Sequence, residues 1–377
     1  MRKYFSLGLS VALLTGVTSC EKSEVISQNQ LDIPATYKFE RNGQTSVSYS
    51  GQTDRLNQLA EMKAMLQTAD AGSIVSEIDL LDMYANTGGD ANGNFTFSSS
   101  KQLKNKTFDL DQTYFEGMLK SAAAASVDGS NGVLASMGTA GLITRGGNNV
   151  TILVDEKGFE FTQVFEKGIM GGVFYYQIVN VYLTDDKIGD AVDNENVDSV
   201  KNYTDMEHHF DEAFGYFGAP VDFSSDYQGT ESPRYWAKYS NSTDAVISGM
   251  NTSIMDSYKT GRSAIVANEH TIKTSQVSEL NTYFGQLAAA SAIHYANEAK
   301  ATTDQGDLLH VLSECYAFTR ALRYSNPNQR EFSPTEVETL LTNTFNDNLW
   351  LVKASDLNNL IDALSTAYGL DAWKDIL

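Results

Sequence analysis

The chain has 377 residues and a formal net charge of −21 at pH 7, from 27 Lys and Arg against 48 Asp and Glu. That balance argues against nucleic acid and anionic surfaces as partners, since both demand clustered positive charge. Two cysteines, Cys20 and Cys315, exclude a disulfide framework and a cysteine-rich metal site, and five prolines leave long stretches without helix breakers.

The chain opens on Arg2 and Lys3, followed by an apolar run from Phe5 to Val17. The run is shorter than the roughly 20 residues a spanning helix needs, and it fits the apolar region of an export signal. Val17-Thr18-Ser19-Cys20 resembles the bacterial lipobox, which implies a signal over residues 1–19 and a lipid on Cys20. The acyl anchor makes the bilayer a partner without a spanning segment. Glu21-Lys22-Ser23-Glu24 places no Asp beside the cysteine, which in the usual sorting pattern implies the outer membrane, facing either the periplasm or the outside.

Residues 20–50 are expected to form a tether and entry segment. From residue 51, Leu56, Leu59, Met62 and Leu66 recur at helical spacing. A second helix is expected over 74–84, a loop over 86–107, and a third helix from 109 through the alanines at 122–125. Residues 128–150, rich in Gly, Ser and Asn, are expected to be irregular. Long helices follow over 159–183 and 199–217. Gly218-Ala219-Pro220 opens a linker over 218–234. Further helices are expected near 244–268, 275–300, 304–325, 335–345 and 354–368. No run of alternating strands is evident, so the fold class is all-α, with a first helical bundle over 51–217 and a second over 235–377. Cys315 falls in an apolar helix and is expected to be a packed core thiol.

The five histidines are His208, His209, His270, His294 and His310. His208 to Phe217 and His310 to Thr319 share one phrase: His, three residues, Glu, small, aromatic, small, aromatic. This suggests a duplicated helical unit. Residues four apart on a helix lie about 40° apart around its axis, so His310 and Glu314 share a stripe that is otherwise apolar. Asp205, His208, His209 and Glu212 share an arc of about 100° bordering an apolar face. Glu166 and Gln177 interrupt another apolar stripe. Buried groups of this kind demand partners, which makes Glu166, Gln177, Asp205, His310 and Glu314 ligand-binding candidates. His208, His209 and Glu212 are metal-ligand candidates, a donor set that suits iron or another divalent ion as cofactor. The bland alternative is a buried hydrogen-bond network that fixes helix register.

His209-Phe-Asp-Glu212 resembles the His-x-x-Glu core of the imelysin-like proteins, helical secreted or lipidated proteins linked to iron uptake. Glu207 stands where that family has glycine. More of the chain resembles a divergent branch among Bacteroidota lipoproteins. The phrases that carry this are Ser48-Tyr-Ser-Gly51-Gln-Thr-Asp-Arg55-Leu, Glu166-Lys-Gly168-Ile-Met-Gly171, Glu207-His-His-Phe-Asp-Glu-Ala-Phe-Gly215-Tyr and Gly261-Arg262-Ser-Ala-Ile-Val. Arg262 joins the ligand-binding candidates. The resemblance implies two helical bundles with a site where they meet, and a peptidase label that the residues do not support. There is no His-Glu-x-x-His pair and no Gly-x-Ser-x-Gly elbow.

Three readings follow. The first is an envelope-facing lipoprotein that captures a metal ion or small ligand between two bundles. The second is an interaction lipoprotein of a surface nutrient-uptake complex. The third is a metal-dependent hydrolase, which would need an open coordination position.

Overall fold

A computed structural model describes residues 31–147 and 149–377. The expected export signal over 1–19 and the expected lipid site at Cys20 lie outside the described residues. The expected all-α class holds: twelve α-helices carry the described fold, with two short strand pairs.

A small hairpin of β1 (Glu40–Arg41) and β2 (Gln44–Thr45) leads into α1 (Ser50–Asp70) and α2 (Glu77–Ala85). Residues 86–107 form the expected loop, wound into short 3₁₀ turns. Asn86 takes a left-handed conformation that ends α2. Its amide donates to the Ser99 and Lys101 carbonyls, which folds the loop back on itself.

After α3 (Gln112–Ser130) the structure departs from expectation. β3 (Gly141–Arg145) lies inside the stretch expected to be irregular and pairs antiparallel with β4 (Val150–Val154), which starts where that stretch ends. What fixes this hairpin is remote in sequence. The Asp70 carbonyl accepts from the Thr151 hydroxyl and its carboxylate accepts from the Leu153 amide, while Arg145 pairs with Asp307. Local pattern carries no such signal.

The helix expected over 159–183 is broken up. α4 (Phe161–Ile169) continues into wide π-helical turns at Met170–Tyr175 and Ile178–Tyr182. Gly171 and Gly172 pack against Ala321, Tyr324 and Phe115 so closely that a Cβ at either would meet them at 3.0–3.2 Å. The Met170 and Val179 carbonyls accept side-chain donors from Trp236 and Asn326. Wide turns of this kind gather at functional sites.

α5 (Asp185–Ile188) and α6 (Asp205–Phe217) follow, the latter opened by a Thr204/Glu207 capping box. α7 (Trp236–Asp244) was not expected; it begins two residues after the linker ends. α8 (Met250–Val266), α9 (His270–Ala301), α10 (Gln305–Ala321), α11 (Pro334–Phe345) and α12 (Ala354–Tyr368) complete the chain. α9 packs against α8, α10 and α12. Its buried Ala288, Ala289, Ala292 and Ala296 allow close approach.

Asp32–Leu377 is one compact unit. Helices from both sides of residues 218–234 share its core, since α4 packs on α10 and α6 on α8. An aromatic seam joins them: Phe217 meets Tyr258 and Phe284, and Trp236 meets Phe284 and Phe318. Cys315 is fully buried, and burial pushes its thiol up to about 12, as befits a core residue.

Candidate functional site

One glycine brings α6 onto α1, and another lets the 86–107 loop cross the start of α1. A Cβ at Gly215 would lie 2.6 Å from the Tyr49 Cβ and 2.9 Å from the Gln52 Cβ, so only glycine admits this approach. At Gly51 a Cβ would lie 2.9 Å from Lys101 Cε, so the lysine stem crosses the first turn of α1. The phrases around Ser48–Leu56 and Glu207–Tyr216 therefore meet in space. The Gly261 phrase joins them, because Gly261 packs against Phe210.

Between the two helices is a pocket of about 340 Å³. Arg55, Lys101, Lys106, Lys201 and His208 line it, with Glu212, Tyr182 and Tyr203. Arg55 is almost fully buried and donates to the Gln102 and Gly51 carbonyls at 2.9 and 3.0 Å. Among the described residues no carboxylate pairs with Arg55, Lys101 or Lys106. Lys106 donates to the Tyr182 hydroxyl, and burial together with Arg55 lowers its pKa. The first turn of α1 has no acidic residue and its N-cap, Tyr49, supplies no side-chain bond. The start of this helix thus adds positive potential.

Glu212 accepts from Gln52 at 2.8 Å and lies 3.9 Å from His208 Nε2. His208 Nδ1 is 3.0 Å from the Ser48 carbonyl, so that nitrogen carries the proton. Burial lowers the His208 pKa, and Tyr203 stacks on its ring at 4.5 Å. Three neighbouring polar groups are buried without a hydrogen-bond partner: Gln58 Oε1, Gln177 Oε1 and the Tyr216 hydroxyl. Gln58 and Gln177 donate through their other atom to the carbonyls of Lys101 and Lys106. Such atoms normally meet water or a ligand.

The metal-ligand candidates do not converge. His209 Nδ1 turns to the Lys187 carbonyl at 2.8 Å, away from the Ser48 carbonyl that His208 binds. The physical reason is that adjacent helical residues point about 100° apart. Among the described residues no group of three or more His, Cys, Asp or Glu is placed to hold a metal ion. Asp205 is exposed in the first turn of α6. Arg262 is buried against Glu207 and Asp211, both at 3.0 Å, and Arg41 joins Glu207 at 2.8 Å. That cluster ties α8 to α6 and to the entry hairpin.

Glu166, His310 and Glu314 do converge, in a separate buried row. Lys63 pairs with Glu166, Glu166 with Lys167, and Lys167 with Glu314 at 2.8 Å. His310 stands 3.5 Å from Glu314 and 2.7 Å from Glu160. Burial disfavours the Glu166 charge, but Lys167 and Lys63 outweigh it and hold the carboxyl at about 2. The Lys167 ammonium is likewise held charged by Glu314 and Glu166 against its burial. Lys63, Lys167 and Glu160 were not identified from sequence, nor were Lys101, Lys106 and Lys201. A lysine on the apolar face of α4 was the available signal for Lys167; the loop lysines gave none.

Residues 34–371 match the family model described as a domain of unknown function (DUF4856). No curated protein and no solved structure matches the chain.

Proposed function

The chain belongs to the DUF4856 family, and from its own geometry we propose that it is a lipid-anchored, envelope-facing binding protein that captures a small anion between α1 and α6. The observation that carries the reading is the convergence of Arg55, Lys101, Lys106 and Lys201 on the first turn of α1, in a chain of net charge −21. Like charges gathered in one pocket repel, and the repulsion grows as the pocket excludes water. Such a cluster is stable when an anion neutralises it, and helix amides recognise phosphate or carboxylate oxygens directly.

The lipobox resemblance at Cys20 supports the anchor and the outer-membrane placement. No helix among the described residues is long and apolar enough to cross a membrane. The finer affiliation with imelysin-like proteins is part of the proposal and rests on His209-Phe-Asp-Glu212 in α6; the phrases that pack around α6 support the Bacteroidota branch. Capture of an iron-like ion has less support, because His208, His209 and Glu212 bind separate partners.

The test is calorimetric titration of the full chain with inorganic phosphate, sulfate and succinate. The expected result is saturable binding that weakens with salt and falls about tenfold in Lys106→Gln. If none of the three binds more tightly than about 10 mM, the reading fails. Tight uptake of ferric or zinc ion without anion binding would restore the metal reading.

A further inference from the structure

A second cavity lies elsewhere. It measures about 410 Å³, is formed by α3, the β4–α4 turn and α10, and shares no lining residue with the cationic pocket. Its size falls in the range of small-molecule sites.

Four rings line it: Tyr114, Phe159, Phe161 and Tyr316. Phe159 and Tyr316 are held edge-to-face at 4.8 Å. The polar groups are placed by a rigid turn. Asp155 Oδ1 accepts from the Lys157 and Phe159 amides at 2.9 and 2.8 Å. Its other oxygen, Oδ2, accepts no hydrogen bond from the described residues. Gly158 closes the turn with φ +91°, where a side chain would strain the backbone and strike Leu309.

One wall carries Gly117, an exposed residue in the second turn of α3. A mid-helix glycine costs about 1 kcal/mol relative to alanine. Here no packing accounts for it: a Cβ at Gly117 would have no neighbour within 4 Å. The space it leaves belongs to the cavity. On the same stripe Thr113 and Ser121 add hydroxyls.

We propose that this cavity binds a neutral polyhydroxylated ring, a pyranose sugar. A sugar offers an apolar C–H face to the rings and hydroxyl donors to the free oxygen of Asp155, and hydrogen bonds to a carboxylate are the stronger kind. An anion is disfavoured by Asp155 and by Asp347 at the rim, where Asp347 pairs with Lys157. Burial pushes Asp155 up to about 6, so its carboxylate is poorly solvated and gains from a ligand hydroxyl. The inference does not rest on anion capture, since the two cavities have separate walls.

The test is ligand-observed NMR of the full chain with glucose, galactose, mannose and N-acetylglucosamine. At least one is expected to bind at millimolar affinity or better. Asp155→Asn keeps the turn, because its amide oxygen can still accept both backbone bonds, and is expected to weaken binding about tenfold. Gly117→Trp fills the cavity from an exposed helix position and is expected to abolish it. Gly117→Ala, which only improves helix propensity, is the folding control and should retain binding. Lys106→Gln should leave sugar binding unchanged. The inference is overturned if none of the four sugars binds, if binding survives Gly117→Trp, or if putrescine occupies the cavity and no sugar does.

Discussion

The Lys167 ammonium lies 2.8 Å from the Glu314 carboxylate, with both side chains buried. One residue is on α4 and the other on α10, so the pair joins the two sides of the expected linker at 218–234. Glu166 and Lys63 extend the row in one direction, His310 and Glu160 in the other. Signs alternate along most of the row, and each buried charge has a neighbour that stabilises it.

Removing the middle of this row leaves two buried carboxylates facing each other. Lys167→Met is therefore expected to cost about 3–5 kcal/mol, the range for breaking a buried ion pair on one side. Chemical denaturation measures it. The triple variant with Glu166→Gln and Glu314→Gln removes the stranded charges and should recover much of the loss. Equal destabilisation of the two variants would show that the charges do not act as a unit.

Asp70 is buried at the end of α1, and burial together with Glu160 raises its pKa to about 7. An unfolded chain ionises near 3.9. Between about pH 4 and pH 7 the folded state holds the extra proton. Its contribution to stability is complete below about pH 4 and is lost as pH rises through 7. Asp70→Asn should raise stability at about pH 8 by on the order of 2–4 kcal/mol and change little near pH 4. Asp211, raised to about 6 by burial, acts in the same direction and will leave part of the slope in place.

His208 faces the cationic pocket, with Glu212, His209 and Lys201 as its charged neighbours. Its lowered pKa keeps it neutral at pH 7, and protonation adds a positive charge to the pocket. Affinity for sulfate, which does not titrate in this window, should rise as pH falls from about 8 to about 5. Binding at neutral pH should take up protons, seen as a buffer-dependent heat. In His208→Gln both effects should vanish.

Gly215 sets the spacing of α1 and α6. Gly215→Ala places a methyl against Tyr49 and Gln52 in less than contact distance. The expected cost is about 1–3 kcal/mol, typical of overpacking. Anion affinity should fall further than stability, because the pocket walls separate. Thermal unfolding and titration on the same sample distinguish the two.

The all-α class, most helix positions and the core placement of Cys315 were legible in the sequence, because apolar period and breaker residues act over a few turns of chain. The hairpin at 141–154 was not, since Asp70 and Asp307 hold it from far away. The π-helical turns after Ile169 were also hidden, although Gly171-Gly172 marked the place. The pairs His208 with Glu212 and His310 with Glu314 were visible in the sequence as polar groups four residues apart on helices. Their partners were not, and the partners decide the chemistry: Lys167 turns one pair into a buried ion row, while Arg55 and Lys106 put the other in a cationic pocket.

The elements, the acidic balance and the residues whose burial would demand a partner follow from short-range pattern and composition. Only the tertiary structure decided that lysines from a loop, an arginine from α1 and a histidine from α6 share one pocket. Electrostatic fields depend on distance through space, and the close approach at Gly215 and Gly51 sets that distance.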